Sequence, residues 1–380
     1  MDTLRQAVRR FPLVARDRPA CPSLDERVRE ISELAQAATG QSGEAALSQA
    51  AAAHNKAALI ASDCGLRELA RALCRRQHTL YLHARPLGAQ TARYALEPIV
   101  NLARLLIRDG DGDGAYQLLD TLYQAVTSRT EVVIDGQRLT LTNFTGSDAD
   151  HRTVCQWLWA VLLGDGTRAL TSTGQWSRAL AHAEQRHGVG RRLLDGRQVA
   201  VLARHSAGDW SAALALVEES TLVEPWEHLV AACLTVLCLR AGGRPATAAM
   251  TAMAERYLRF RTPSGLALFH VRVGLTVLDL MEDIDQLDAS AAGHLLEEAV
   301  VAGDGYVARD VLAHAGCRRM LTGDQEQALV ATLRSSGIGG DTMAPKLEAT
   351  LLAAVRASEA TTTRNLRILA EAPPTGVRNR

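Results

Sequence analysis

The residues best placed to do chemistry run from Asp109 to Asp120: Asp109-Gly110-Asp111-Gly112-Asp113-Gly114-Ala115-Tyr116-Gln117-Leu118-Leu119-Asp120. Read as a twelve-residue loop, the run puts carboxylates at the first, third and fifth positions, glycine at the sixth and a carboxylate at the twelfth. A hard cation such as calcium prefers oxygen ligands. A loop between two helices supplies them at this spacing, and the glycine makes the sharp bend. The spacing predicts Asp109, Asp111, Asp113 and Asp120 as ligands, and Ca2+ as the one cofactor to consider.

The run departs from the EF-hand pattern at two places. Its eighth position is Tyr116 rather than a small aliphatic residue, and its closing acid is Asp120 rather than the longer Glu. It also stands alone, whereas such loops usually work in pairs. The competing reading is a polar turn between two helices, because the run lies where other helical pairs of this chain turn. That reading is preferred, and it requires no cofactor. Other chemistry is sparse. His151 and Cys155 are one helical turn apart, as are His294 and Glu298. Two ligands do not close a metal site. The acidic run Glu282-Asp283-Ile284-Asp285 with Asp288 lacks a DDxxD pattern and reads as a solvated link. Nothing resembles HExxH, GxSxG or a phosphate-binding Gly-rich loop, and no nucleophile–base set can be chosen from spacing.

The cations are almost all arginine, since Lys56 and Lys346 are the only lysines. Arg67, Arg71, Arg75 and Arg76 fall along one helix, and a second cluster runs from Arg186 to Arg197. Planar guanidinium groups suit carboxylates and phosphates. Arg67, Arg71, Arg75, Arg191 and Arg192 are therefore the candidate partner-binding residues. The plainer reading is a solvated outer face of helices. Positive and negative charges balance at 42 each, which argues against nucleic acid. The first 45 residues give no helix-turn-helix, so direct reading of DNA is not expected.

These groups must be positioned by helices. Hydrophobic residues make up 47% of the 380, enough for a large core. No apolar run is long enough to span a bilayer, and the N-terminus has no apolar signal-peptide core. No membrane association is expected. Seven scattered cysteines without a CxxC pair fit a reducing cytoplasm. Apolar residues recur at helical spacing from Ser23 onward. Pro98 is expected to kink or split the helix over 91–107. The pattern breaks once, at Glu131-Val132-Val133-Ile134-Asp135-Gly136-Gln137-Arg138-Leu139-Thr140, a β-hairpin signal around an Asp-Gly turn. The organisation expected is an N-terminal helical segment at 1–45, helical hairpins at 46–129, an inserted β-hairpin at 130–147, helical repeats at 148–362 and a flexible tail at 363–380.

One phrase occurs twice: Gly174-Gln175-Trp176-Ser177-Arg178-Ala179-Leu180 and, 34 residues on, Gly208-Asp209-Trp210-Ser211-Ala212-Ala213-Leu214. Gly323-Asp324-Gln325 with Ala328-Leu329 repeats it without the aromatic residue. With Pro225 beyond the second copy, the phrase resembles the inter-helix turn and second helix of a tetratricopeptide repeat. In that pattern glycine makes the turn, the aromatic packs beneath it and the small alanine lets two helices touch. The resemblance implies an all-α fold, an α-solenoid of antiparallel helical hairpins with one inserted β-hairpin. It also implies a concave groove for a protein or peptide segment. The first expectation for function is a cytoplasmic, tetratricopeptide-like peptide- or protein-binding scaffold with a regulatory role. The alternatives are an enzyme or maturation factor with a site near 130–159, and a nucleic-acid adaptor using the arginine clusters. The oligomeric state is left open, a homo-oligomer included.

Overall fold

In a computed structural model the described residues are 2–261, 263, 265–281 and 285–371. They are mostly helical. In chain order the helices are α1 (Asp2–Arg10), α2 (Leu24–Thr39), α3 (Gly43–Asp63), α4 (Arg67–Leu82), α5 (Ala89–Arg108) and α6 (Gly112–Ser128). A hairpin of β1 (Glu131–Ile134) and β2 (Gln137–Thr140) follows, then α7 (Asp148–Val161). A π-helical turn (Leu162–Gly166) leads to α8 (Thr167–Ser172), α9 (Trp176–Gln185), α10 (Asp195–Ser206), α11 (Trp210–Glu218), α12 (Pro225–Ala241) and α13 (Thr247–Arg259). The chain ends with α14 (Ala267–Leu280), α15 (Asp285–Ala302), α16 (Gly305–Ala313), α17 (Ala315–Met320), α18 (Gly323–Ser336) and α19 (Pro345–Glu371). The chain forms two compact units. The first comprises Met1–Ser23 with Leu163–Ile338, and the second Leu24–Leu162 with Gly339–Arg380.

A single turn design recurs in both units. Gly65, Gly110, Gly174 and Gly208 close α3, α5, α8 and α10 with φ of 75, 83, 74 and 80°. In each, the glycine N–H donates to the carbonyl three residues back, and the next N–H donates to the carbonyl five back. This is the left-handed helix stop that glycine adopts without a Cβ penalty. The residues that follow, Leu66, Asp111, Gln175 and Asp209, share one conformation, with φ between −91 and −80° and ψ between 57 and 73°. The next helix then starts. Five residues after each glycine stands Ala70, Ala115, Ala179 or Ala213, and each is fully buried. The phrase seen twice in the sequence is thus built four times: α3/α4, α5/α6, α8/α9 and α10/α11 are helical hairpins of one kind. Gly243 makes the same pair of hydrogen bonds, but α13 begins only at Thr247, after Pro245.

The β-hairpin has the expected turn. Asp135 and Gly136 both have positive φ, 51 and 75°, as a type I′ turn requires. The strands pair antiparallel, with Glu131 opposite Thr140 and Ile134 opposite Gln137. Its apolar side, Ile134, Leu139 and Leu141, is buried.

Elsewhere the elements differ from expectation in ways that local packing explains. Pro98 lies inside α5, which stays one helix; its missing N–H costs one hydrogen bond while its ring is buried with Ile99 and Leu102. Residues 305–320 form two helices rather than one, because His314 caps α17: its Nδ1 accepts from the Cys317 N–H at 3.1 Å. α19 continues through Thr363 to Glu371, past the point where the helical array was expected to give way to a tail, because Leu366 and Asn365 are buried. Residues 372–380 of that tail, and Glu282–Ile284 of the acidic link, lie outside the described residues. The rest of that link, from Asp285, belongs to α15.

In the second unit α2, α3, α4 and α19 pack on one another, and α5 on α4. The alanines of α3 allow close helix approach. Its last residue, Asp63, is buried and receives Arg27 from α2 and Arg108 from α5, the latter at 2.8 Å. In the first unit α14 is buried along nearly its whole length and is covered by α1, α12, α13, α15 and α16. Arg10 of α1 bonds Asp279 of α14, whose other carboxylate oxygen lies 3.0 Å from His314 Nε2.

Candidate functional site

The four carboxylates of the calcium-like run are used by the fold. Asp109 follows α5 and pairs with Arg67 at 3.3 Å and Arg71 at 3.6 Å. Asp111 caps α6, its Oδ1 accepting the Gly114 N–H at 2.8 Å. Asp209 caps α11 in the same way through Ala212. Asp113 lies in the first turn of α6, and Asp120 lies two turns into it, accepting from Gln124 Nε2 at 2.6 Å. The helix begins at Gly112, so the stretch that would have to wrap around a cation is already helical. Among the described residues no three His, Cys, Asp or Glu side chains converge in a way that could hold a metal ion.

The candidate arginines divide between the units. Arg67, Arg71 and Arg75 belong to the second unit, while Arg191 and Arg192 precede α10 in the first. Arg192 binds Glu227 at 3.1 Å, a carboxylate with no solvent exposure that also caps the start of α12. The Arg191 carbonyl accepts from the Thr221 N–H. Both therefore stand in a contact between the segments leading into α10 and α12. At the break in the helical pattern, His151 Nε2 lies 3.5 Å from Cys155 Sγ. Burial pushes the Cys155 thiol up, and burial together with Arg129 pushes His151 down. A protonated thiol beside a neutral imidazole is a poor nucleophile.

A groove of about 580 Å³ opens elsewhere in the second unit, between α4 and α19. From α4 it takes Arg75, Arg76, Thr79 and Leu80, which recur at helical spacing and so share one helix face, and from the turn that ends α4 His83 and Ala84. From α19 it takes Glu359, Thr363, Leu366 and Arg367, spaced in the same way, and Gln137 of β2 closes one side. Arg76 pairs with Glu359 at 2.7 Å, and further along the buried Tyr81 phenol faces Thr362. Sequence therefore ascends in the same direction along both walls. At about 1.5 Å of rise per residue, the eight steps from Glu359 to Arg367 span about 12 Å. An extended peptide covers that length with about four residues.

The charges of the groove are unevenly matched. Arg75 is paired with Asp135 of the hairpin turn at 2.7 Å, and Arg76 with Glu359. Arg367 and His83 have no such partner among the described residues. The floor between them is apolar, made by Leu80, Ala84 and Leu366. Such a surface can take an apolar side chain and, beside it, a carboxylate. His78, on the same helix, does not reach the groove: it is fully buried, with Nδ1 2.6 Å from the Ala95 carbonyl. The α19 wall was missed by sequence reasoning, although Glu359, Thr363, Leu366 and Arg367 stand at helical spacing.

Comparison with known proteins adds no relative: no family model, no curated protein and no solved structure matches the chain.

Proposed function

We propose that the protein is a tetratricopeptide-like scaffold that binds a partner through an extended segment carrying acidic and apolar side chains, held in the groove between α4 and α19. The observation that carries this reading is the groove's composition. An apolar floor lies beside guanidinium groups of which two are neutralised and one, Arg367, is left with His83 to meet a negative charge. The recurring glycine-turn hairpins support a repeat architecture, in which such grooves form between helices that cannot bury their faces alone. The pairing of Arg67 and Arg71 with Asp109, and of Arg192 with Glu227, takes these cations away from a phosphate-tracking role. The regulatory role and the cytoplasmic setting belong to the same proposal by fold-level analogy.

The test is fluorescence anisotropy with labelled short peptides of varied charge and apolar content. Acidic peptides with a leucine should bind, and basic ones should not. Arg367→Glu and Leu366→Asp should each weaken binding about tenfold or more, equivalent to about 1.4 kcal/mol. Binding that ignores both substitutions, or that prefers basic peptides, removes the groove from consideration.

A further inference from the structure

His270, on α14, lies among aromatic rings in the first unit. Tyr257 of α13 stacks on its imidazole with centroids 4.8 Å apart and planes at 22°, and Phe260 lies 6.0 Å away at 13°. His294 of α15 stands edge-on to both, 5.5 Å from His270 and 5.7 Å from Tyr257. Four polar atoms of these rings are buried without a hydrogen-bond partner: Tyr257 Oη, both nitrogens of His270, and His294 Nε2. Buried polar groups are nearly always paired, so this concentration in one cluster calls for an explanation.

We propose that this cluster is an acid-operated release: a proton taken up by His270 loosens α13 and α15 from α14. A neutral His270 is tolerated because its ring lies against aromatic carbon of Tyr257 and Phe260. A charged one has lost its water, and among the described residues no carboxylate acts on it. Cation–π attraction from Tyr257 and Phe260 offsets only part of that loss.

The surrounding charges do not relieve it. From α15, Glu298 faces Tyr257 rather than the imidazole, and Cys317 of α17 does the same. Toward α16, Arg272 is held by Asp310, which also takes Arg309. Asp279 is occupied by Arg10 of α1 and by His314. On α12, Glu227 is bound to Arg192.

Burial, and then the neighbouring His294, push His270 down from an ordinary 6.5 to about 4. A depressed histidine contributes stability that is complete above pH 6.5 and is lost as the pH falls from there to about 4. At about pH 5, linkage predicts an opening equilibrium about 30-fold larger than at neutral pH.

Hydrogen exchange by mass spectrometry on the full chain, corrected for the intrinsic pH dependence of exchange, reads this directly. Segments of α13, α14 and α15 should open about 30-fold more at about pH 5 than at about pH 7.5. His270→Phe keeps the stacked ring without the titrating nitrogens and should flatten the profile. If that variant does not fold, His270→Gln and an NMR titration of the His270 ring give the same information. A wild-type profile that is flat in these segments, an unchanged profile in the variants, or a His270 that titrates near 6.5 overturns the proposal.

Discussion

Replacing Asp111 separates the two readings of the Asp109–Asp120 run. The carboxylate caps α6 by accepting the Gly114 N–H at 2.8 Å. It stands in the same conformation as Asp209, which caps α11. Asp111→Ala removes the cap and should cost about 1 kcal/mol, whereas Asp111→Asn keeps an accepting oxygen and should cost about 0.3 kcal/mol or less. In a unit of this size, 1 kcal/mol lowers Tm by about 2–4 °C. A calcium loop behaves otherwise. With a dissociation constant near 10 µM, about 1 mM calcium would add about 2.7 kcal/mol; the alanine substitution would abolish that gain, whereas asparagine, which keeps an oxygen ligand at a position that takes Asp or Asn, would retain much of it. The assay is thermal unfolding followed by circular dichroism for the wild type and both variants, with calcium and with chelator. Calcium-independent Tm values, with only the alanine variant shifted, are expected. A rise of several degrees on adding calcium to the wild type, lost in the alanine variant, would refute the capping account.

Other substitutions test the packing inside each unit. Asp63→Ala leaves Arg27 buried without its carboxylate and takes a partner from Arg108, so it should cost about 3–5 kcal/mol in urea unfolding. A loss under about 1 kcal/mol would mean that water reaches the pair. Gly274→Ala should destabilise the first unit by about 1–3 kcal/mol, because the added methyl would come 2.7 Å from Tyr257 Cζ and closer still to its hydroxyl and to Leu295. Tyr257→Phe leaves that ring carbon in place and should not rescue it, while Tyr257→Leu should in part. Rescue by phenylalanine would show that the hydroxyl alone makes the contact.

What could be read from sequence was local. The Asp135-Gly136 hairpin was legible because two consecutive positive-φ positions leave few residue choices. The helical stretches were legible because their apolar spacing is regular. The Gly-x4-Ala phrase was convincing only around Trp176 and Trp210, since glycine and alanine are common throughout the chain. In the structure Gly65 and Gly110 make the same turn without an aromatic residue, so the glycine φ and the buried alanine define the unit and the tryptophan does not. Trp210 is in fact 39% exposed.

The groove was illegible for a different reason. Its two walls, residues 75–84 and 359–367, are far apart in the chain, and only the return of α19 onto α3 and α4 joins them. No periodicity in either stretch announces the other. Residues from 363 onward also read as a flexible tail, when Thr363, Leu366 and Arg367 line the groove with Arg75, Arg76 and Leu80. A helix whose polar face meets another helix's arginines looks the same in sequence as one that meets water. The distinction lies in pairing: Glu359 is bound to Arg76, and Arg367 has no ion-pair partner among the described residues. That asymmetry, rather than the density of arginine on α4, is what the proposed ligand charge rests on.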